Sequence, residues 1–61
     1  MKVSLKAARI NAGLTLIKAA EQIGISRNTL MNYEHKRTSP PVKTLEKICK
    51  VYKCSQENIF F

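Results

Sequence analysis

"LTLIKAAEQIGISRNTLMNYE", residues 14–34, is the stretch on which the fold turns. Thr15 and Ser26 have the hydroxyl side chains that favour helix N-caps, and each precedes a run free of Gly and Pro. The first run, Leu16 to about Ile23, places Ala19, Ala20 and Ile23 on one inward face. Gly24 stops it, Ile25 plugs the connection, and Ser26 opens the next helix. A connection that short forces a sharp angle between the helices, and the small side chains of Ala19 and Ala20 let the backbones approach closely. In the second helix Leu30 and Tyr33 share the inner face, which leaves Arg27, Asn28, Met31 and Asn32 outside. Exposed helix faces are usually built from strong helix formers, and asparagine at two of these positions is a weak one.

Working outward, "SLKAARINA" sets Leu5, Ala8 and Ala12 at helical spacing, and Gly13 follows as a left-handed stop. Arg9 lies on the same stripe, and a buried arginine is costly without a hydrogen-bonded carboxylate. After Glu34 comes "HKRTSPP", a polar basic loop. Pro41 suits the first position of a helix "VKTLEKICKVYK". Its inner stripe is Val42, Leu45, Ile48, Cys49 and Tyr52, and Glu46 and Lys50 form a weak i,i+4 pair outside. Ser55 caps a last short helix, "QENIF", that presses Ile59 and Phe60 inward. The expected architecture is all-α, a compact five-helix bundle forming a single domain over residues 1–61.

A chain of 61 residues with 44% apolar side chains lies near the lower limit for folding without staples. Eleven Lys or Arg face four acidic residues, for a formal charge of +7. Clustered cations suit the neutralisation of phosphates, so a nucleic acid is the partner this charge implies. No apolar run spans a bilayer and no export signal is visible, which leaves a cytoplasmic protein without a membrane partner as the default. Cys49, Cys54 and His35 do not make a four-ligand zinc site, and both cysteines fall in apolar slots. No metal or cofactor and no small-molecule ligand are implied. Without Asp and with one His, no nucleophile-base pair assembles, so the chain does not read as an enzyme.

The segment from Leu14 to Glu34, with Ala20, Gly24, Ile25 and Ser26 at their offsets, resembles the helix-turn-helix of the lambdoid-phage repressor and Cro family, the XRE type. The likeness runs from about Leu5 to Phe60. It implies a lambda-repressor-like DNA-binding domain whose second motif helix lies in the major groove while the first crosses the phosphate backbone. Base contacts are then expected from Arg27, Asn28 and Asn32, with Met31 beside them to touch a thymine methyl. Phosphate contacts are expected around the α-helix start at Leu16 and Ile17 and from Thr15, Lys18, His35, Lys36, Arg37, Thr38 and Lys43. For Lys2, Lys6, Lys47, Lys50 and Lys53 a solvated role and a DNA role stand level. Similar repressors hold an arginine and a glutamate as a buried pair at the positions of Arg9 and Glu34, which implies a structural ion pair here. Many members carry a phosphate-binding glutamine where this chain has Leu16, and leucine cannot make that hydrogen bond.

One short reading helix specifies few base pairs, so the expected partner is double-stranded DNA bound by a homodimer on a palindromic operator. Val51, Ile59 and Phe61 are the candidates for the dimer contact, with simple closure of the core an equal reading for Ile59 and a lesser one for Phe61. A phage or prophage repressor or Cro-like protein is the first functional reading. An antitoxin or a restriction-modification controller is an alternative on the same fold. A helix-turn-helix module repurposed for protein-protein interaction is the rival from another class, with Leu16 and Ile17 as its hint.

Overall fold

The computed structural model describes residues 2–60 and orders them as β1 (Val3–Ser4), α1 (Leu5–Asn11), α2 (Leu16–Ile23), α3 (Arg27–Glu34), α4 (Val42–Tyr52), a single 3₁₀ turn (Gln56–Asn58) and β2 (Ile59–Phe60). Three α-helices begin on hydroxyl caps. Ser4 Oγ accepts from the Ala7 amide at 3.1 Å, Thr15 Oγ1 from Lys18 at 3.2 Å and Ser26 Oγ from Thr29 at 3.1 Å. Each cap satisfies one of the amides that a helix start leaves without an intrahelical partner.

Two expectations about helices are corrected. The described residues contain four α-helices and not five, because the "QENIF" segment makes only the three-residue 3₁₀ turn. Ser55 makes no side-chain cap there, and so short a segment cannot offset the cost of helix nucleation. The chain instead turns extended and β2 pairs in parallel with β1, Val3 opposite Ile59 and Ser4 opposite Phe60. Pro41 is the N-cap of α4 and not its first helical residue, since its carbonyl accepts from the Leu45 amide at 2.8 Å.

All four helices end alike. Gly13 (φ 76°), Gly24 (φ 90°), Lys36 (φ 61°) and Lys53 (φ 55°) take left-handed backbone. The next residue then returns its amide to a carbonyl five positions back: Leu14 to Arg9 at 3.2 Å, Ile25 to Ala20 at 3.1 Å, Arg37 to Asn32 at 3.0 Å and Cys54 to Cys49 at 3.0 Å. This is the Schellman ending, which satisfies last-turn carbonyls and reverses the chain within two residues. Leu14, Ile25 and Cys54 then pack against the core. Arg37, at the same place in its ending, stays exposed.

The core comprises Leu5, Ala8, Ala19, Ala20, Ile23, Leu30, Ile48, Cys49, Tyr52 and Ile59. Ala19 is 0% exposed and Ala20 3%, consistent with close approach of neighbouring helices around α2. On α4 burial grows along the stripe: Ile48, Cys49 and Tyr52 are buried, Leu45 partly so, and Val42 is 68% exposed, against the inner position expected of it. Periodicity assigns an angular face, but it does not say where along the axis the neighbouring helices stop. Among the described residues no helix is long and apolar enough to cross a membrane, and no cluster of potential metal ligands occurs.

Burial pushes the Tyr52 hydroxyl up to about 12, aided by the Glu34 carboxylate and opposed by Arg9. Burial likewise raises the Cys49 thiol to about 11, with Cys54 adding to it. Both groups favour the neutral form in the folded state, so their contribution is complete below the ordinary values of 9.0 and 10.0 and is lost as pH rises through 11 and 12. The urea midpoint should therefore decline between these limits, and Tyr52→Phe should flatten the upper part of the decline. An identical alkaline profile for Tyr52→Phe would contradict that origin. The helix endings give a second test. Lys53→Gly relieves left-handed strain and should stabilise the domain by about 0.5–1 kcal/mol, while Gly24→Ala should cost about 1 kcal/mol, both read from urea unfolding.

Candidate nucleic-acid interface

Arg9 anchors the helix that presents the candidate face. Its Nε donates to Glu34 Oε2 at 2.8 Å, Nη2 to Glu34 Oε1 at 3.4 Å and Nη1 to the Leu14 carbonyl at 3.0 Å. The side chains are 12% and 6% exposed, so the fork joins α1 to the end of α3 and to the turn before α2 in a largely dry setting. Two-point pairing of a guanidinium with a carboxylate fixes direction as well as distance.

Leu30 is fully buried, Tyr33 partly so and Glu34 is turned inward to Arg9, which leaves Arg27, Asn28, Met31 and Asn32 as the outer side of α3. Arg27 and Asn28 are exposed in the first turn, and Met31 and Asn32 are half-buried one turn on. The Ser26 and Thr29 hydroxyls share a 2.8 Å hydrogen bond beside the cap. Asn32 Oδ1 accepts from Arg37 Nη1 at 3.3 Å. That contact was not foreseen in the sequence, because it depends on the left-handed Lys36 that turns Arg37 back along the helix.

The residues expected near phosphates fall into two groups. At the start of α2 the Thr15 cap takes the Lys18 amide and the helical ladder takes that of Ala19, which leaves the Leu16 and Ile17 amides as the outward donors. Ile17 is 52% exposed, whereas Leu16 packs its side chain partly on the core. The second group is the exposed run His35, Lys36, Arg37 and Thr38, followed by Lys43 on the first turn of α4. None of the four α-helices carries an acid in its first turn, so no carboxylate competes there for the positive end of the helix dipole.

Of the residues expected at a dimer contact, Val51 is half-buried and Phe61 lies outside the described residues. Ile59 is 4% exposed and packs in the core, so it is not accessible to a second chain. A half-open cleft of about 490 Å³ lies between the ends of α1 and α4, lined by Val3, Asn11, Val51 and Cys54 among others.

Two short capped helices joined through Gly24 and Ile25, the second with a polar outer face, define a helix-turn-helix domain. The comparisons agree: the helix-turn-helix family pattern matches residues 5–55, and the chain belongs to the XRE-type helix-turn-helix family. It is 42% identical over 53 residues to the HTH-type transcriptional regulator ImmR of Bacillus subtilis (strain 168), an alignment that covers 87% of this chain and 42% of that relative. The chain thus spans less than half the length of the curated relative it matches. No solved structure matches significantly.

Glu34→Ala should lower stability by about 3–5 kcal/mol in urea unfolding, since it strands a largely buried guanidinium. Replacing both partners, Arg9→Met with Glu34→Leu, should recover most of that loss. A melting temperature untouched by Glu34→Ala would show that the pair carries no structural role.

Proposed function

We propose that this domain binds double-stranded DNA sequence-specifically and regulates transcription by occupying an operator. The observation that carries this reading is the outer face of α3. It presents Arg27, Asn28, Met31 and Asn32 together, on a helix pinned from behind by Glu34. Arginine suits the O6 and N7 acceptors of guanine, asparagine both accepts and donates, and a methionine side chain suits a thymine methyl. Phosphates are then held by the open amides of Leu16 and Ile17 and by Thr15, Lys18, His35, Lys36, Thr38 and Lys43. Membership of a family in which the regulator ImmR also falls supports the same reading.

A reading surface of one helix is too small to select a genomic site, so the domain acts as a homodimer on a palindrome with half-sites about 34 Å apart. Val51 and Phe61 are the residues we assign to that contact. Repression of the phage or prophage type is the regulatory role we favour over an antitoxin or a restriction-modification controller. One observation favours a protein partner instead: Ile17 and Val42 are 52% and 68% exposed.

Selection from random duplex DNA at low and near-physiological salt should enrich a palindrome. On the enriched site Arg27→Ala should cost about 1–3 kcal/mol and relax preference at one base pair, whereas Lys43→Ala should weaken all sequences alike and lower the salt slope by about one. Binding without an enriched motif would reduce the charge to a phosphate footprint and bring the protein-partner reading forward.

A further inference from the structure

Three of the four helix endings close with an apolar residue against the core, Leu14, Ile25 and Cys54, and the ending of α3 closes with Arg37. The left-handed Lys36 brings the Arg37 amide to the Asn32 carbonyl at 3.0 Å and its Nη1 to the Asn32 side-chain oxygen at 3.3 Å. The usual apolar latch between these two positions is thereby replaced by a polar pair on the edge of the outer face of α3. A guanidinium has donors only, so the end of the Asn32 amide that meets Arg37 must be its oxygen. The Nδ2 hydrogens then lie on the opposite edge of the amide.

We infer that Arg37 is a specificity determinant that holds the Asn32 amide in one orientation, so that the two side chains together read guanine. This rests on the DNA-reading function proposed above. An unconstrained asparagine prefers adenine, accepting from N6 and donating to N7. With Oδ1 turned towards Arg37 and one of its two lone pairs taken, the Nδ2 hydrogens of Asn32 and the remaining guanidinium hydrogens form a row of donors that favours acceptors on the base. Guanine offers two acceptors in the major groove, O6 and N7, and matches that row. Exposed to water the pair is weak, but a groove that excludes water strengthens it and makes an amide flip costly.

The test has two arms. In the free protein, Arg37→Ala should move the side-chain amide NMR signals of Asn32 and leave those of Asn28 in place, and unmoved Asn32 signals would overturn the pair. On the duplex enriched by selection, Kd is measured for variants of every base pair with the wild type, Asn32→Ala, Arg37→Ala and the double substitution. Each single change should erase about tenfold discrimination at the same guanine, and the double change should erase no more. A uniform loss for Arg37→Ala, with guanine preference intact and a salt slope lower by about one, would make it a phosphate contact and sink the inference while DNA reading stands. Adenine preference at the position that depends on Asn32 would also sink it. If the wild type enriches no motif, the proposed function and this inference fall together.

Discussion

The position of α3 depends on one guanidinium. α3 fully buries only Leu30, with Tyr33 partly covered, and apolar packing on that scale is slight for an eight-residue helix containing two asparagines. Arg9 supplies what packing does not. Its three hydrogen bonds reach both oxygens of Glu34 at the end of α3 and the carbonyl of Leu14 in the turn that leads into α2. A buried pair of this kind contributes little net stability compared with apolar residues of the same volume, but its planar geometry tolerates few alternatives. The helix is therefore held by direction more than by area, and its outer face is free to carry residues chosen for something other than folding.

The helix endings impose the second constraint. The repeated left-handed ending turns the chain sharply after each helix. Two of those turns are made by glycine and two by lysine. The strain of a left-handed lysine is about 1–2 kcal/mol, a substantial cost for so small a domain. At position 36 that cost places a cation beside the candidate face and brings Arg37 against Asn32, neither of which glycine followed by an apolar residue would provide.

These particulars explain which features could be read from the sequence. The spans of α2 and α3 were legible because Thr15 and Ser26 announce their starts and Gly24 the end between them. The endings at Lys36 and Lys53 were not, since no glycine marks them and lysine rarely adopts that backbone. Two-residue strands are too short for alternation to register, so the β1–β2 pairing was invisible, although the inward place of Ile59 was legible from its apolar side chain. The outer residues of α3 followed from helical periodicity alone. The link between Asn32 and Arg37 required the form of the helix end first, and that form is not encoded by residue type.

The distribution of charge bears on how such a domain discriminates between sequences. Of the cations, Arg9 is matched by Glu34, and Lys18, Arg27, Lys36, Arg37 and Lys43 border the proposed DNA face. Lys2, Lys6, Lys47, Lys50 and Lys53 are exposed at the chain start and on or after α1 and α4. Electrostatic attraction to a polyanion is therefore not confined to one face, and it raises affinity for every sequence alike. The contrast between one duplex and another must come from the few polar groups on α3, each limited to about 1–3 kcal/mol. Small gains in the orientation of those groups then weigh heavily. An amide held by a neighbouring guanidinium rejects the wrong base by leaving donors unpaired, which costs more than a flexible side chain that can rotate to suit either base.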